Sequence, residues 1–195
     1  MKMNLPNKIT TARLILIPLV VFFYLATFIP NNIGKFIALG LFMLAAYTDH
    51  LDGYYARKLN QVTNLGTFLD STADKLLVFA TLILVCVDHT IPPIFAELIL
   101  IIMMSRDFLI SALRQVAASN NVVISADKLG KLKTLLQDIG LSALLLFVAL
   151  NGVLGNQLIL DIVMWIGYCI MGLATLVSLI SGVNYLVKNK GVFKV

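Results

Sequence analysis

Four aspartates form two pairs at helical spacing, one on each side of a short polar stretch. Asp49 and Asp52 are three residues apart, and Asp70 and Asp74 are four residues apart. Residues at these separations share one face of a helix, so two antiparallel helices can turn the two faces toward each other. The pattern predicts four carboxylates that meet at one depth of the protein.

Such a cluster is unfavourable inside apolar helices unless something neutralises it. Each charged group costs free energy in a membrane span, and like charges add to that cost. Carboxylates suit hard divalent cations such as Mg²⁺ or Mn²⁺. Four of them can hold two ions about 4 Å apart, an arrangement used for phosphoryl displacement. We therefore expect the four aspartates to bind two divalent metal ions.

Small residues and one arginine accompany the aspartates. Gly53 and Ala56 lie on or near the face of Asp49 and Asp52, where they let backbones and a ligand approach closely. Arg57 comes one turn later, and its planar guanidinium can hold a pyrophosphate through two contacts.

A second group of charged residues is basic and follows later in the chain. Arg106 lies well inside an apolar run with Arg114 two turns on, and Lys131 and Lys133 open the next apolar run. Together they predict a basic pocket beside the carboxylates. Such a pocket suits a second substrate that carries a phosphate and acts as the acceptor in a phosphoryl displacement. Two alternatives stay open: Arg106 pairs with Asp107 or with an acid on another helix, and the lysines anchor the inner leaflet.

The composition indicates lipid as the solvent of this chain. Its 195 residues are 59% hydrophobic and only 13% charged, whereas about a quarter of the residues in soluble domains are charged. Apolar runs of about 20 residues predict membrane-spanning helices. We expect an all-α, polytopic membrane protein with one domain, residues 1–195, and six spans: Ile9–Ile29, Ile33–Arg57, Gly66–Val87, Pro93–Ala117, Leu129–Leu150 and Leu158–Val187.

Lysine and arginine are distributed unevenly between the two sides of these spans. With the N-terminus inside, the outer loops hold only Lys35, while the inner loops and helix ends hold most of the other basic residues. This asymmetry predicts that both termini, and the aspartates, face the cytoplasm. Because the basic residues lie between apolar runs, the net charge of +5 indicates an anionic membrane surface or anionic substrates as partners, and no nucleic acid.

The aspartates belong to a longer pattern. The stretch from Asp49 to Asp74 reads D-x-x-D-G-x-x-A-R, eight residues, then G-x-x-x-D-x-x-x-D. It resembles the signature of CDP-alcohol phosphotransferases at all eight fixed positions. The resemblance implies an enzyme that moves a substituted phosphate from a CDP-linked donor to an alcohol and releases CMP.

The resemblance also implies roles for individual residues. Asp49, Asp52, Asp70 and Asp74 would hold two metals, and Asp74 would take the proton of the attacking hydroxyl. Spacing alone does not distinguish Asp74 from the other three aspartates. The residues that would contact the CDP-lipid are Gly53, Ala56, Arg57 and Thr63, joined by Asn7 and Thr10 of the stretch Pro6-Asn7-Lys8-Ile9-Thr10.

The acceptor is indicated by a shorter match. The segment from Gly130 to Thr134, with Gln137, resembles the bacterial phosphatidylglycerophosphate synthase branch of the family. This implies CDP-diacylglycerol as donor, glycerol 3-phosphate as acceptor, a place in phospholipid biosynthesis and a location in the cell membrane. The alternatives are another acceptor (inositol phosphate, serine or phosphatidylglycerol) and, in a different class, a divalent cation transporter. A homodimer is also compatible with the sequence, which leaves the oligomeric state open.

Overall fold

The computed structural model describes residues 5–30, 32–58, 64–88, 93–119 and 128–188, and these form six α-helices and their described connections. The helices are α1 (Leu5–Leu25), α2 (Ile33–Lys58), α3 (Asn64–Val87), α4 (Pro93–Ser119), α5 (Lys128–Leu150) and α6 (Gln157–Lys188). The prediction of an all-α protein is confirmed. Helices α2 to α6 begin and end within two residues of the predicted spans.

The first helix differs from its predicted span by about one turn. It begins at Leu5 rather than Ile9 and ends at Leu25 rather than Ile29. An early start is possible because proline is tolerated in the first turn of a helix, where its missing N–H has no intrahelical partner. At the other end, Thr27 donates to the carbonyl of Leu25 and Ile29 donates to that of Ala26. These short-range bonds close a turn ahead of Pro30.

The outside of the bundle suits a hydrocarbon solvent. Within the described residues, three stretches are long and apolar enough to cross a membrane by length and composition: Lys8–Leu25, Leu129–Leu150 and Gln157–Lys188. Large apolar side chains are exposed along all six helices, among them Phe22, Met43, Phe68, Ile101, Leu135 and Trp165. An exposed apolar surface of this extent is unfavourable in water, so the chain is an integral membrane protein.

The six helices pack as a closed ring around a continuous apolar core. Around the ring, α1 contacts α2, then α5, α6, α4 and α3 follow, and α3 returns to α1. A contact between α3 and α5 crosses the ring. The fully buried side chains of the core include Phe42, Leu82, Met103, Leu145 and Met171. This arrangement brings α1, α2, α3, α4 and α5, which carry the predicted site residues other than Thr63, around one interior.

Two glycines allow α5 and α6 to approach closely. A Cβ at Gly140 of α5 would lie 2.8 Å from the side chain of Met171, and a Cβ at Gly167 of α6 would lie 2.7 Å from that of Leu144. Small residues at such crossings let helices pack tightly in lipid, where apolar burial does not drive association. Alanine at either position would push the two helices apart.

A polar contact ties three helices together at the end of the bundle opposite the aspartates. Asp88, just after α3, accepts hydrogen bonds from Tyr24 Oη of α1 and Lys35 Nζ of α2, each at 3.0 Å. The ammonium of Lys35 also lies 5.6 Å from the centre of the Tyr24 ring. This contact holds α1, α2 and α3 together at the end of the bundle away from the aspartates. The opposite ends of these helices carry the predicted site residues.

Candidate active site

The carboxylates of α2 and α3 converge on an arginine of α1. Nη1 of Arg13 lies 2.6 Å from Oδ1 of Asp49 and 3.1 Å from Oδ1 of Asp70. The Arg13 side chain is completely buried, whereas the two carboxylates are partly exposed. One aspartate of each predicted pair, Asp49 and Asp70, therefore meets the other at Arg13, and the guanidinium offsets part of their mutual repulsion.

The described side chains fit hard cations in donor type. Asp49 and Asp70 present carboxylate oxygens from two helices toward one point, and such oxygens are the ligands that Mg²⁺ and Mn²⁺ prefer. Among the side chains that the structure describes, no group of three or more potential ligands is arranged to hold a metal. Asp52 lies one turn from Asp49 on α2, but its side chain is outside the described part.

The residues predicted to contact the CDP-lipid are only partly described. Thr10 is buried on α1, one turn before Arg13. Asn7 lies in the first turn of α1, and Gly53, Ala56 and Arg57 lie near the end of α2, with side chains outside the described part. Thr63 lies outside the described residues altogether.

Asp74 faces a polar cavity between α3, α4, α5 and α6. The cavity has a volume of about 210 Å³. Its lining includes all four residues predicted to bind the acceptor's phosphate, which are Arg106, Arg114, Lys131 and Lys133. The fold thus brings the predicted base and the predicted basic pocket to one space, although 32 or more residues of sequence separate them.

Arg106 is held in place by α6. Its Nε donates to the carbonyl of Ser178 at 3.2 Å, and its Nη2 donates to Oγ of Ser181 at 2.8 Å. A Cβ at Gly182 would lie 3.2 Å from Cγ of Arg106, so glycine leaves room for the arginine stem. A guanidinium has five N–H donors. Within the described parts of the chain, three of them have acceptors, one of which is Asp107, and two are left for a ligand.

Asp107 stands between two of the predicted phosphate-binding residues. Its Oδ1 accepts from Arg106 Nη1 at 2.9 Å, and its Oδ2 accepts from Lys133 Nζ at 2.5 Å. The expected alternative for Arg106, an ion pair with Asp107, is therefore present, and Arg106 still lines the cavity. Since all three side chains are largely buried, removing one partner would leave an unbalanced charge.

The other two predicted cations lie at the cavity's edge. Nε of Arg114 donates to Oη of Tyr185 at 3.1 Å, and the guanidinium lies 5.6 Å from the centre of that ring. Lys131 is exposed on the first turn of α5. These two can meet an anion as it enters.

Sequence reasoning did not assign three charged residues of this region. The sequence places Arg13 only among the basic residues near inner helix ends, although an arginine inside an apolar run signals a site. Lys75 follows Asp74 directly and lines the same cavity. Asp138 on α5 is close enough to Asp49 and Asp74 to interact with their charges. Only the packing of α5 against α2 and α3 reveals Asp138.

Comparison with known proteins is consistent with this geometry. Residues 3–180 match the family described as CDP-alcohol phosphatidyltransferase. The chain belongs to this family. The resemblance inferred from the spacing of the aspartates is therefore confirmed for nearly the whole chain.

Individual members of the CDP-alcohol phosphatidyltransferase family are similar along their length. A protein of Bacillus subtilis (strain 168) is 41% identical over 197 residues, covering 95% of each chain. One of Rickettsia felis is 36% identical, covering 93% of each. One of Haemophilus influenzae is 42% identical, covering 74% of this chain and 77% of its own. All three are named CDP-diacylglycerol–glycerol-3-phosphate 3-phosphatidyltransferase. Membership of a transferase family sets aside the cation transporter.

Proposed function

We propose that this protein transfers the phosphatidyl group of CDP-diacylglycerol to glycerol 3-phosphate, giving phosphatidylglycerophosphate and CMP. The names of its relatives support this reaction. The single structural observation that carries it is the shared cavity: Asp74 and four basic side chains line one space. An acceptor that carries both a hydroxyl and a phosphate needs a base for the first and cations for the second. The two must be no farther apart than the length of the acceptor.

Asp74 acts as the general base in this proposal. A hydroxyl of glycerol 3-phosphate attacks the phosphorus that carries the diacylglycerol, its proton passes to the Asp74 carboxylate, and the bond to the CMP oxygen breaks. An alcohol is a very weak acid, so a positioned carboxylate must accept its proton as the new bond forms. The half-buried position of Asp74 beside the basic pocket suits this task.

Asp49, Asp52, Asp70 and Asp74 would hold two divalent ions, Mg²⁺ or Mn²⁺. Support comes from the convergence of Asp49 and Asp70 and from the hard oxygen donors they supply. When bound, the ions would offset the negative charge of the pyrophosphate and of the departing CMP. Arg13 contributes a fixed positive charge at the same place.

The two substrates would bind on different sides of Asp74. Asn7, Thr10, Gly53, Ala56, Arg57 and Thr63 would hold the CDP-lipid, as the family pattern implies. The phosphate of the acceptor would bind to Arg106, Arg114, Lys131 and Lys133. The two free N–H groups of Arg106 can form charge-assisted hydrogen bonds with that phosphate, which are stronger than bonds between neutral groups.

We place the protein in the cell membrane with six spans, both termini in the cytoplasm and the active site on the cytoplasmic face. The distribution of lysine and arginine supports this orientation. A cysteine introduced at Asn60 should react with impermeant reagents only after the membrane is opened. Reaction in intact cells would reverse the orientation.

The reaction is tested by CMP release from CDP-diacylglycerol with a panel of acceptors. The purified protein should use glycerol 3-phosphate far better than glycerol, serine, inositol phosphate or phosphatidylglycerol. Equal rates with glycerol and glycerol 3-phosphate would refute the phosphate pocket but leave the family membership intact.

A further inference from the structure

A fifth cation lines the cavity of Asp74. Lys75 is half-buried on α3, and its side chain faces the same space as the predicted phosphate-binding residues. Its Nζ lies 2.5 Å from Oγ of Ser111 on α4 and 3.2 Å from Oγ of Ser71, one turn back on α3. The ammonium is therefore fixed at the boundary between α3 and α4.

The partners of Lys75 differ from those of the two most buried cations. Arg106 and Lys133 share the carboxylate of Asp107, which neutralises part of their charge. In the part of the chain that the structure describes, the hydrogen-bonding partners of Lys75 are hydroxyls. A hydroxyl is neutral, so it orients the ammonium without cancelling its charge.

The charges that line the cavity as a whole favour an additional anion. At Lys75 itself, the carboxylates of Asp107 and Asp74 attract the ammonium more strongly than Arg114 and Lys133 repel it. The lining as a whole holds five cations against two carboxylates. The lining has three more cations than carboxylates, and one bound phosphate, with a charge of about −1.5 to −2 near neutral pH, would offset at least half of this excess.

We propose that Lys75 is a further residue that binds the phosphate of the acceptor. This inference rests on the proposed function. An ammonium has three N–H donors, and two of them are used by Ser71 and Ser111, so one remains for a phosphate oxygen. Ser111 also donates to the carbonyl of Asp107 at 2.6 Å, which fixes its lone pairs toward Lys75. A phosphate at Lys75 would set the acceptor's hydroxyl beside Asp74, because a three-carbon chain joins the two groups.

The test compares the parent protein with Lys75→Met and with Lys188→Met, an exposed lysine of the last turn of α6. Lys75→Met should raise the apparent KM for glycerol 3-phosphate about ten-fold, as expected for one lost charge-assisted contact. The KM for CDP-diacylglycerol should stay unchanged. Lys75→Arg should restore much of the affinity, and Lys188→Met should behave as the parent.

A second measurement does not depend on turnover. Glycerol 3-phosphate should raise the Tm of the parent protein, because a ligand that binds only the folded state stabilises it. This shift should be smaller in Lys75→Met at equal ligand concentration. Lys75→Gln, which can keep a hydrogen bond to Ser111, tests the loss of charge even where Lys75→Met fails to fold.

Each contrary result has a distinct meaning. An unchanged KM and an unchanged Tm shift in the neutral variants would overturn the role of Lys75. So would equal losses of ligand-free Tm in Lys75→Met and Ser111→Ala without any change in KM, because Lys75 would then only tether α3 to α4. A parent protein that does not distinguish glycerol from glycerol 3-phosphate would instead overturn the proposed acceptor, and this inference with it.

Discussion

Lys133 on α5 and Asp107 on α4 form an ion pair, with 2.5 Å between Nζ and Oδ2. The other oxygen of Asp107 binds Arg106, so one carboxylate holds two predicted phosphate-binding side chains. An empty pocket with two unneutralised cations would be unstable in a membrane protein. Asp107 therefore stabilises the pocket in the absence of a bound anion.

This pairing predicts opposite effects of Asp107→Asn on stability and on ligand response. Without ligand, the Tm should fall. Complete removal of one partner of a buried ion pair costs about 3–5 kcal/mol, and the loss should be smaller here because the amide oxygen of asparagine can still accept a hydrogen bond. Glycerol 3-phosphate should stabilise the variant more than the parent, because its phosphate replaces the missing negative charge. Thermal unfolding at increasing concentrations of glycerol 3-phosphate measures the Tm without ligand and the rise in Tm that the ligand causes. A smaller ligand response than in the parent would contradict this account.

Removal of divalent ions should abolish the activity. Protein treated with a chelator should release no CMP, and Mg²⁺ or Mn²⁺ should restore the rate, because uncompensated carboxylates repel the pyrophosphate. Ca²⁺ and Zn²⁺ serve as comparison ions in the same assay. Full activity after exhaustive metal removal would refute the two-metal site.

Asp74→Asn should separate binding from chemistry. An amide is close in size to a carboxylate but cannot accept the proton of the attacking hydroxyl. We expect kcat to fall by at least about 100-fold, while CDP-diacylglycerol binding is largely kept. Asp138→Asn is the matched control, because Asp138 is a neighbouring carboxylate without a proposed role in proton transfer. An Asp74→Asn enzyme with near-parental kcat would remove Asp74 from the role of base.

Gly182→Ala should displace the side chain of Arg106, which lines the proposed acceptor pocket. The new Cβ would lie 3.2 Å from Cγ of Arg106, a close contact that the flexible arginine can relieve by moving. We expect the apparent KM for glycerol 3-phosphate to rise several-fold, and less than the ten-fold or greater rise expected for Arg106→Ala or Lys133→Ala. Gly172→Ala on the same helix has open space around its Cβ and provides the control. Identical KM values for the two alanine variants would show that the position of Arg106 is not critical.

Much of the fold was predictable because its signals are local. Apolar runs that end at Pro, Gly or Asn determine five helices to within two residues, and the spacing of Asp49, Asp52, Asp70 and Asp74 determines which faces carry charge. The first helix begins one turn ahead of its apolar run because Pro6 is tolerated within a first turn.

The contacts between distant segments were not predictable in the same way. Asp107 and Lys133 are 26 residues apart, and Arg13 and Asp70 are 57 apart. No helical period connects such pairs, so the choice between a phosphate ligand and an ion-pair partner at Arg106 remained open. The packing of α6 against α4 places Ser178 and Ser181 against the guanidinium, which pairs with Asp107 and still lines the cavity.

The contact of Arg13 with Asp49 and Asp70 has a consequence for biogenesis. In co-translational insertion, helices enter the bilayer in the order of synthesis, so Arg13 enters ahead of Asp49 and Asp70. Each later acidic helix then meets an existing counter-charge, which reduces the cost of inserting a carboxylate into hydrocarbon. Arg13→Leu should therefore lower the fraction of chains whose second and third helices insert correctly, as glycosylation tags in their loops would report. Arg13 would then assist the membrane insertion of the helices that follow it, in addition to offsetting charge in the folded site.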